Sequence, residues 1–292
     1  MSFPLFYLFS ILLLLTACGT PPVAESEAEE MTEAAMPPPA AMTSDSLPPV
    51  LPAEVDSAAL FGPTAELDYL RGRFEPSGHP LFTALAAKLT DGDGTYYLRK
   101  DAAAAFAAMQ DAARADGISL QVISATRNFE RQKGIWEAKW TGKRLLEGTE
   151  KADEVYPDPA ERALAILRYS SMPGTSRHHW GTDIDINQLT NEYFRSGKGA
   201  REYAWLTANA ADYGFCQPYS TKVGPAGRPF GYEEERWHWS YLPAARPLTR
   251  RAAARLRDAD IAGFAGSEAA GRIKVVERYV LGINPACKTS AD

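Results

Sequence analysis

Basic side chains are missing from the opening stretch of this chain, where no lysine or arginine occurs among the first 58 residues. Cysteine is scarce too, three in 292 residues, and histidine numbers four. So little cysteine excludes a disulfide-stapled scaffold, and so few imidazoles leave a small set from which any histidine chemistry must be drawn. The one long apolar run, Leu5 to Leu15, is too short for a comfortable membrane span. No internal repeat is visible. The net charge of −6 is concentrated: eight acidic residues lie between Gly19 and Ala58, so the rest of the chain sums to +2. A nearly neutral remainder gives no basic surface for nucleic acid, and none is expected as a partner.

What is present divides the chain into three. Residues 1–18 form an apolar leader ending in Leu15-Thr16-Ala17-Cys18. It resembles a bacterial lipoprotein signal, although the usual basic residues near the start are absent. The resemblance implies cleavage before Cys18, lipid on its thiol and attachment to a membrane of the cell envelope through that lipid. Residues 19–58 are rich in Pro, Ala and Glu and almost free of aromatics. Such a segment buries too little apolar surface to offset its ordering entropy, so it is expected to be a disordered tether. Export would also favour a disulfide between Cys216 and Cys287.

From residue 59 to 292 the texture is that of one folded domain, with 45% hydrophobic residues across the whole chain sufficing for a normal core. Asp101 to Ala115 has helical spacing with Asp101 as its cap, and Phe129 to Trp140 is also helical. Ala200 to Tyr213 reads as a helix stopped by Gly214. Ile118 to Ala125, Thr182 to Ile186 and Trp237 to Tyr241 read as strands, the second half-buried. Helices mixed with a small, mainly antiparallel sheet define an α+β class. His79, between Gly78 and Pro80, is expected in an exposed loop.

Two segments about fifty residues apart carry the chemistry: Ser176-Arg177-His178-His179-Trp180-Gly181-Thr182-Asp183-Ile184-Asp185 and Glu235-Arg236-Trp237-His238. They supply two imidazoles, a carboxylate and a spare carboxylate, the set required by a hydrolytic zinc centre. His178, Asp185 and His238 would hold the ion, leaving a fourth position for water whose proton Glu235 can take. Residues seven apart on a straight strand face opposite ways, so Gly181 must permit a bend between His178 and Asp185. Glu235 is expected just before its strand, where irregular backbone can aim it. His179 is read as structural or as a support for a ligand.

Ser176-x-His178-x-x-Gly181-x-x-x-Asp185 followed by Glu235-x-Trp237-His238 resembles the zinc peptidases of the VanY-like D-alanyl-D-alanine carboxypeptidase family. Upstream, Ser124-Ala125-Thr126-Arg127-Asn128 and then Gln132 resembles that family's Ser-Gly-Tyr-Arg-Ser segment and following Gln. The resemblance implies a Hedgehog/DD-peptidase-like fold, Zn2+ on His178, Asp185 and His238, and Glu235 as catalytic base. It gives Arg127 a catalytic and substrate-binding role at a carboxylate or developing oxyanion; a salt-bridged arginine at a helix start is the alternative. Ser176 would bind substrate, orient a ligand or cap a turn. The implied activity is removal of the terminal D-alanine from peptidoglycan stem peptides, by a monomer. L,D-carboxypeptidase or endopeptidase action with the same centre, or a zinc-bearing wall-binding module without turnover, remain alternatives. Ala125, Thr126 and Asp183 depart from the family pattern; Asp183 could pair with Arg177, touch substrate or accept from a ligand imidazole.

Overall fold

Period-two alternation in Asp183-Ile184-Asp185-Ile186 builds the centre of the molecule. The computed structural model describes residues 57–92, 94–224 and 227–288, all within one compact unit, Ser44–Asp292. The leader, Cys18 and the tether as far as residue 56 lie outside the described residues. Among the described residues no helix is long and apolar enough to cross a membrane. Strands β1 (Phe82–Ala84) and β2 (Tyr97–Arg99) form an antiparallel pair. Strands β3 (Val122–Ser124), β4 (Asp183–Ile186), β5 (Phe215–Cys216) and β6 (His238–Tyr241) form an antiparallel sheet in the order β3-β4-β6-β5.

Register then sorts the side chains. Asp183 lies opposite Ser240, Ile184 opposite Trp239 and Asp185 opposite His238. Alternate residues share a face, so Asp183, Asp185, His238 and Ser240 turn one way and Ile184, Ile186, Trp239 and Tyr241 the other. The apolar face packs in one core with Leu98, Phe106 and Met109. Helix Lys100–Ala115 supplies Ala102, Phe106, Met109 and Ala113 to it, all fully buried, at the spacing of one helical face. Complete burial of Phe106 or Met109 contributes about 1.5–3 kcal/mol each. A second core, with Trp136, Trp180 and Leu248, lies under helices Phe129–Trp140, Pro159–Ile166 and Leu242–Arg255.

Several expectations shift in detail. The strand at 182–186 is buried on both faces rather than half-buried, because its polar side chains pair internally. The expected strand 118–125 shrinks to three residues: Ile118 bonds back to Ala113 O at 2.8 Å and Gln121 N to Asn187 Oδ1 at 2.7 Å. Asp101 is not the helix cap; the cap position is Arg99, and Asp101 accepts from Arg99 Nε at 3.2 Å. The helix expected at 200–213 runs over Gly197–Asn209 and ends in a 3-10 turn, Ala210–Tyr213, before Gly214 at φ 78°. His79 is buried, not exposed. Its ring packs on Phe74 and Phe82, and Nε2 meets Phe61 O at 3.1 Å.

The C-terminal segment closes onto the sheet. A disulfide joins Cys216 on β5 to Cys287 with Cα atoms 5.8 Å apart, as expected from the sequence. Buried Arg228 donates to the carbonyls of Ser220, Phe230, Tyr232 and Gly282, sewing the loop before β6 to that segment. The bridge spans 71 residues, for which loop-closure entropy gives about 4 kcal/mol. Replacing both cysteines with serine should lower the unfolding free energy by that order in guanidinium titrations. Reductant should then destabilise the parent and leave the double variant unchanged.

Candidate metal centre

Each ligand is delivered by a different local device. Arg177–Trp180 is a 3-10 turn, and Gly181 follows it in the left-handed region at φ 70°. That conformation reverses the chain into β4 so that His178 turns back towards Asp185, and an added Cβ would strike the Phe82 ring. It is favourable only for glycine. His238 opens β6 beside Asp185, and Glu235 lies in irregular backbone before the strand, its carbonyl accepting from His238 N at 3.3 Å.

The hydrogen bonds fix both imidazole tautomers. His178 Nδ1 lies 2.8 Å from Ala125 O, a carbonyl that only accepts, so Nδ1 carries the proton and Nε2 offers its lone pair. His238 Nε2 lies 2.8 Å from Asp183 Oδ2, which leaves Nδ1 to face Asp185 and Glu235. His178 Nε2 is 3.3 Å and His238 Nδ1 3.2 Å from the same atom, Asp185 Oδ1. One ligand atom from each residue falls within 4.8 Å of the others. Two ligand atoms about 2.05 Å from a tetrahedral ion are about 3.3 Å apart, so the spacing suits a first-row divalent cation. His178 Nε2 and Asp185 Oδ1 are also buried with no hydrogen-bond partner. An unpaired buried acceptor is costly, and a shared cation would satisfy both.

Charge points the same way. Burial works to raise the Asp185 carboxyl, but His178 and His238 outweigh it and hold it well below the carboxylate range. Burial opposes charge on His238, yet Asp183, Asp185 and Glu235 together push its imidazole well above the usual value. Three carboxylates thus converge on one ring, a cation-seeking arrangement in which protons and metal compete. Glu235 Oε2 stands 3.3 Å from His238 Nδ1. Burial raises the Glu235 carboxyl above the ordinary range, with His238 opposing.

Asp183 faces neither solvent nor cleft. Its carboxylate accepts from Arg177 Nε at 3.1 Å, Thr182 Oγ1 at 2.6 Å, Ser240 Oγ at 2.8 Å and His238 Nε2 at 2.8 Å. It both pairs with Arg177 and orients a ligand imidazole, and at 0% exposure it does not touch substrate. His179 is structural: Nδ1 donates to Arg127 O at 2.6 Å and Nε2 accepts from Gly174 N at 3.0 Å. Arg127 donates to Ser124 Oγ at 3.0 Å, stands 3.6 Å from Asp185 Oδ2 and lines the cleft. It precedes Asn128, whose side chain caps helix Phe129–Trp140 by accepting from Arg131 N at 2.9 Å. Ser176 holds the cap position of the 3-10 turn, but its hydroxyl is buried without a hydrogen-bond partner and is not part of the cleft wall.

The site opens into a cleft of about 760 Å3 whose walls include Gln132, Lys139, Tyr169, Tyr219, Tyr232 and Trp237. Of these, the upstream motif singled out Gln132 and the ligand motif contained Trp237. Lys139 belongs to no motif; its sequence signal is its place seven residues after Gln132, on the same helical face.

Three convergent ligand atoms, a neighbouring carboxylate and an open cleft make a candidate metal centre in an α+β domain. The family model for VanY, D-alanyl-D-alanine carboxypeptidase, matches residues 95–244, and the chain belongs to that family. YodJ of Bacillus subtilis, a carboxypeptidase by name, is 32% identical over 148 residues, covering 50% of this chain and 46% of YodJ. A D-alanyl-D-alanine carboxypeptidase of Enterococcus faecalis is 32% identical over 138 residues, covering 45% of this chain and 43% of the relative. The matches thus span a little under half the length of these two relatives. Among solved structures, the vancomycin-resistance D,D-pentapeptidase VanY in complex with Zn(II) overlaps 64% of this chain and 93% of its own. That overlap is at 23% identity and TM-score 0.40. The LD-carboxypeptidase LdcB overlaps 68% of this chain and 79% of its own at 22% identity and TM-score 0.44.

Asp183→Ala should cost about 3–5 kcal/mol by leaving Arg177 buried and unpaired, seen as a lower midpoint in thermal unfolding. Burial pushes His179 down to about 3, against about 6.5 in an unfolded chain. Its stabilising contribution is therefore complete above about pH 6.5 and is lost as pH falls towards 3. His179→Gln should remove about one proton from the slope of urea-derived stability against pH between 6.5 and 4. His178 and His79, both also lowered by burial, would sustain the rest.

Proposed function

We propose that this chain is a zinc-dependent peptidoglycan carboxypeptidase that removes the terminal D-alanine from stem peptides. The observation that carries the reading is the meeting of His178 Nε2, Asp185 Oδ1 and His238 Nδ1 beside the buried Glu235 carboxylate. Membership of the VanY family supports it. A zinc ion held by His178, Asp185 and His238 would acidify a bound water and polarise the scissile carbonyl.

The protein's own groups do the rest. Glu235, kept dry enough to hold a proton readily, accepts one from the attacking water and delivers it to the departing amine. Arg127, anchored by Ser124, presents its guanidinium to the substrate carboxylate or to the oxyanion that develops on the carbonyl. Ala125 O and Asp183 keep the two imidazoles aimed without taking part themselves. The leader and acidic tether suit an enzyme held on a bacterial membrane by lipid on Cys18 and reaching a nearby polymer. We extend the proposal to that location and to a folded region spanning residues 59–292.

Purified protein should contain one zinc per chain, release D-alanine from pentapeptide muropeptides, stop with chelator and recover with zinc. Glu235→Gln should retain zinc and lose at least about a hundredfold in kcat; an unchanged rate would defeat the assignment. A mass-spectrometric digest of tri-, tetra- and pentapeptide muropeptides reads the bond cleaved. Cleavage confined to tetrapeptides would replace D,D with L,D specificity, and zinc binding with no cleavage would leave a binding module.

A further inference from the structure

Lys139 lies in the cleft and the chemistry above leaves it unused. Helix Phe129–Trp140 runs along one wall and shows it Arg131, Gln132, Ile135 and Lys139. Arg131, Ile135 and Lys139 follow at i, i+4 and i+8, a single helical face. Arg127 stands just ahead of this helix, beside Asp185. Lys139 comes about 12 Å further along from Arg131, at 1.5 Å per residue. The helix therefore sets one cation at the metal ligands and another further along the same wall, its charge still felt by both Arg127 and Glu235. Arg144, in the turn after the helix, lines the same wall and is exposed.

Lys139 is half-buried, and its ammonium donates to Ser170 Oγ at 2.6 Å. The neighbouring Ser171 carbonyl accepts from Gln132 Nε2 at 2.8 Å, which fixes the Ser170-Ser171 segment against the helix. Of the two carboxylates whose charge reaches Lys139, Glu235 belongs to the candidate metal centre and Glu147 is engaged at 2.6 Å by Arg168. Among the described residues, no carboxylate stands within ion-pair distance of Lys139 or Arg144. Burial, then Arg144, pushes the Lys139 ammonium down to about 8, so it is charged at neutral pH yet poorly solvated. A partly dehydrated ammonium with a hydroxyl for company is stabilised by an incoming anion, and charge-assisted hydrogen bonds are the strong ones.

We propose that Lys139 and Ser170, with Arg144 at the rim, form a second anion subsite. It selects peptide substrates that carry a carboxylate upstream of the scissile bond. The inference rests on the carboxypeptidase reading and deepens it by naming what the cleft recognises. Arg127 serves the reacting end and Lys139 an acidic residue nearer the peptide's start. An amine at that upstream position would meet like charge and be disfavoured. An extended peptide covers 12 Å in about three to four residues, and the reach of two side chains shortens the count.

The test uses matched peptides ending in D-alanyl-D-alanine, with a residue two to four positions upstream bearing either a free carboxylate or its carboxamide. Binding is measured by calorimetry on zinc-loaded Glu235→Gln protein, and kcat and KM on the parent. The free acid should be preferred by about tenfold or more, with the difference in KM rather than kcat. Lys139→Met, made in each background, should bring the acid-to-amide ratio near one, and Arg144→Gln, on an exposed side chain, should reduce it in part. Equal affinity for the two peptides, a ratio untouched by Lys139→Met, or a parallel loss on both peptides would overturn the subsite. If neither peptide is cleaved, the carboxypeptidase reading fails, and the calorimetric ratio still decides the subsite independently.

Discussion

A carboxylate sealed from water at Asp183 is the constraint on which the centre depends. Four donors close around it: Arg177, Thr182, Ser240 and His238. Burial alone would favour the neutral acid, but Arg177 and His238 prevail and keep Asp183 ionised far into acid. Arg177 is tied in turn to Ser240 at 2.8 Å and Thr249 at 3.0 Å. The pair therefore links the 3-10 turn carrying His178, strand β4, strand β6 and helix Leu242–Arg255. Buried ion pairs add little net stability over an apolar alternative. Their value here is geometric, because they set which nitrogen of His238 faces Asp185.

Beside that fixed centre, part of the cleft wall is made of loops held by carbonyl-directed bonds. Arg228 has no carboxylate within ion-pair distance among the described residues and spends its guanidinium on backbone oxygens between Ser220 and Gly282. The disulfide closes the same region from the other side. Glu235 is placed by this frame: its N–H donates to Tyr219 O at 2.9 Å and its carbonyl accepts from Gln217 Nε2 at 3.1 Å. A carboxylate whose backbone is held twice needs little further ordering.

Much of the site was legible in the sequence because its residue types are rare and closely spaced. Only four histidines existed, two of them beside a glycine and an aspartate, and helix Phe129–Trp140 came out with the expected limits. Gly181 was readable as a bend because period-two geometry forbids the alternative. The misses share a cause. His79 looked like a loop histidine because Pro and Gly flank it, whereas its burial depends on Phe61, Phe74 and Phe82, long-range partners that spacing cannot show. The short β3 likewise reflects Asn187, more than sixty residues away, capturing the Gln121 amide. Asp183 offered three roles on paper, and only the cross-strand register with Ser240 decided among them.

Glu235 stands outside the ladder of β6, and its carboxylate meets that strand through His238 Nδ1 at 3.3 Å. His178, Asp185 and His238 are secured by Ala125, Asp183 and the strand register, none of which involves this carboxylate. On the proposed function, one codon change there would yield a folded protein that keeps the three convergent side chains and loses the carboxylate beside them. Inactive descendants of such a scaffold therefore lie a single evolutionary step away, and their ancestry would remain visible in the metal ligands they keep.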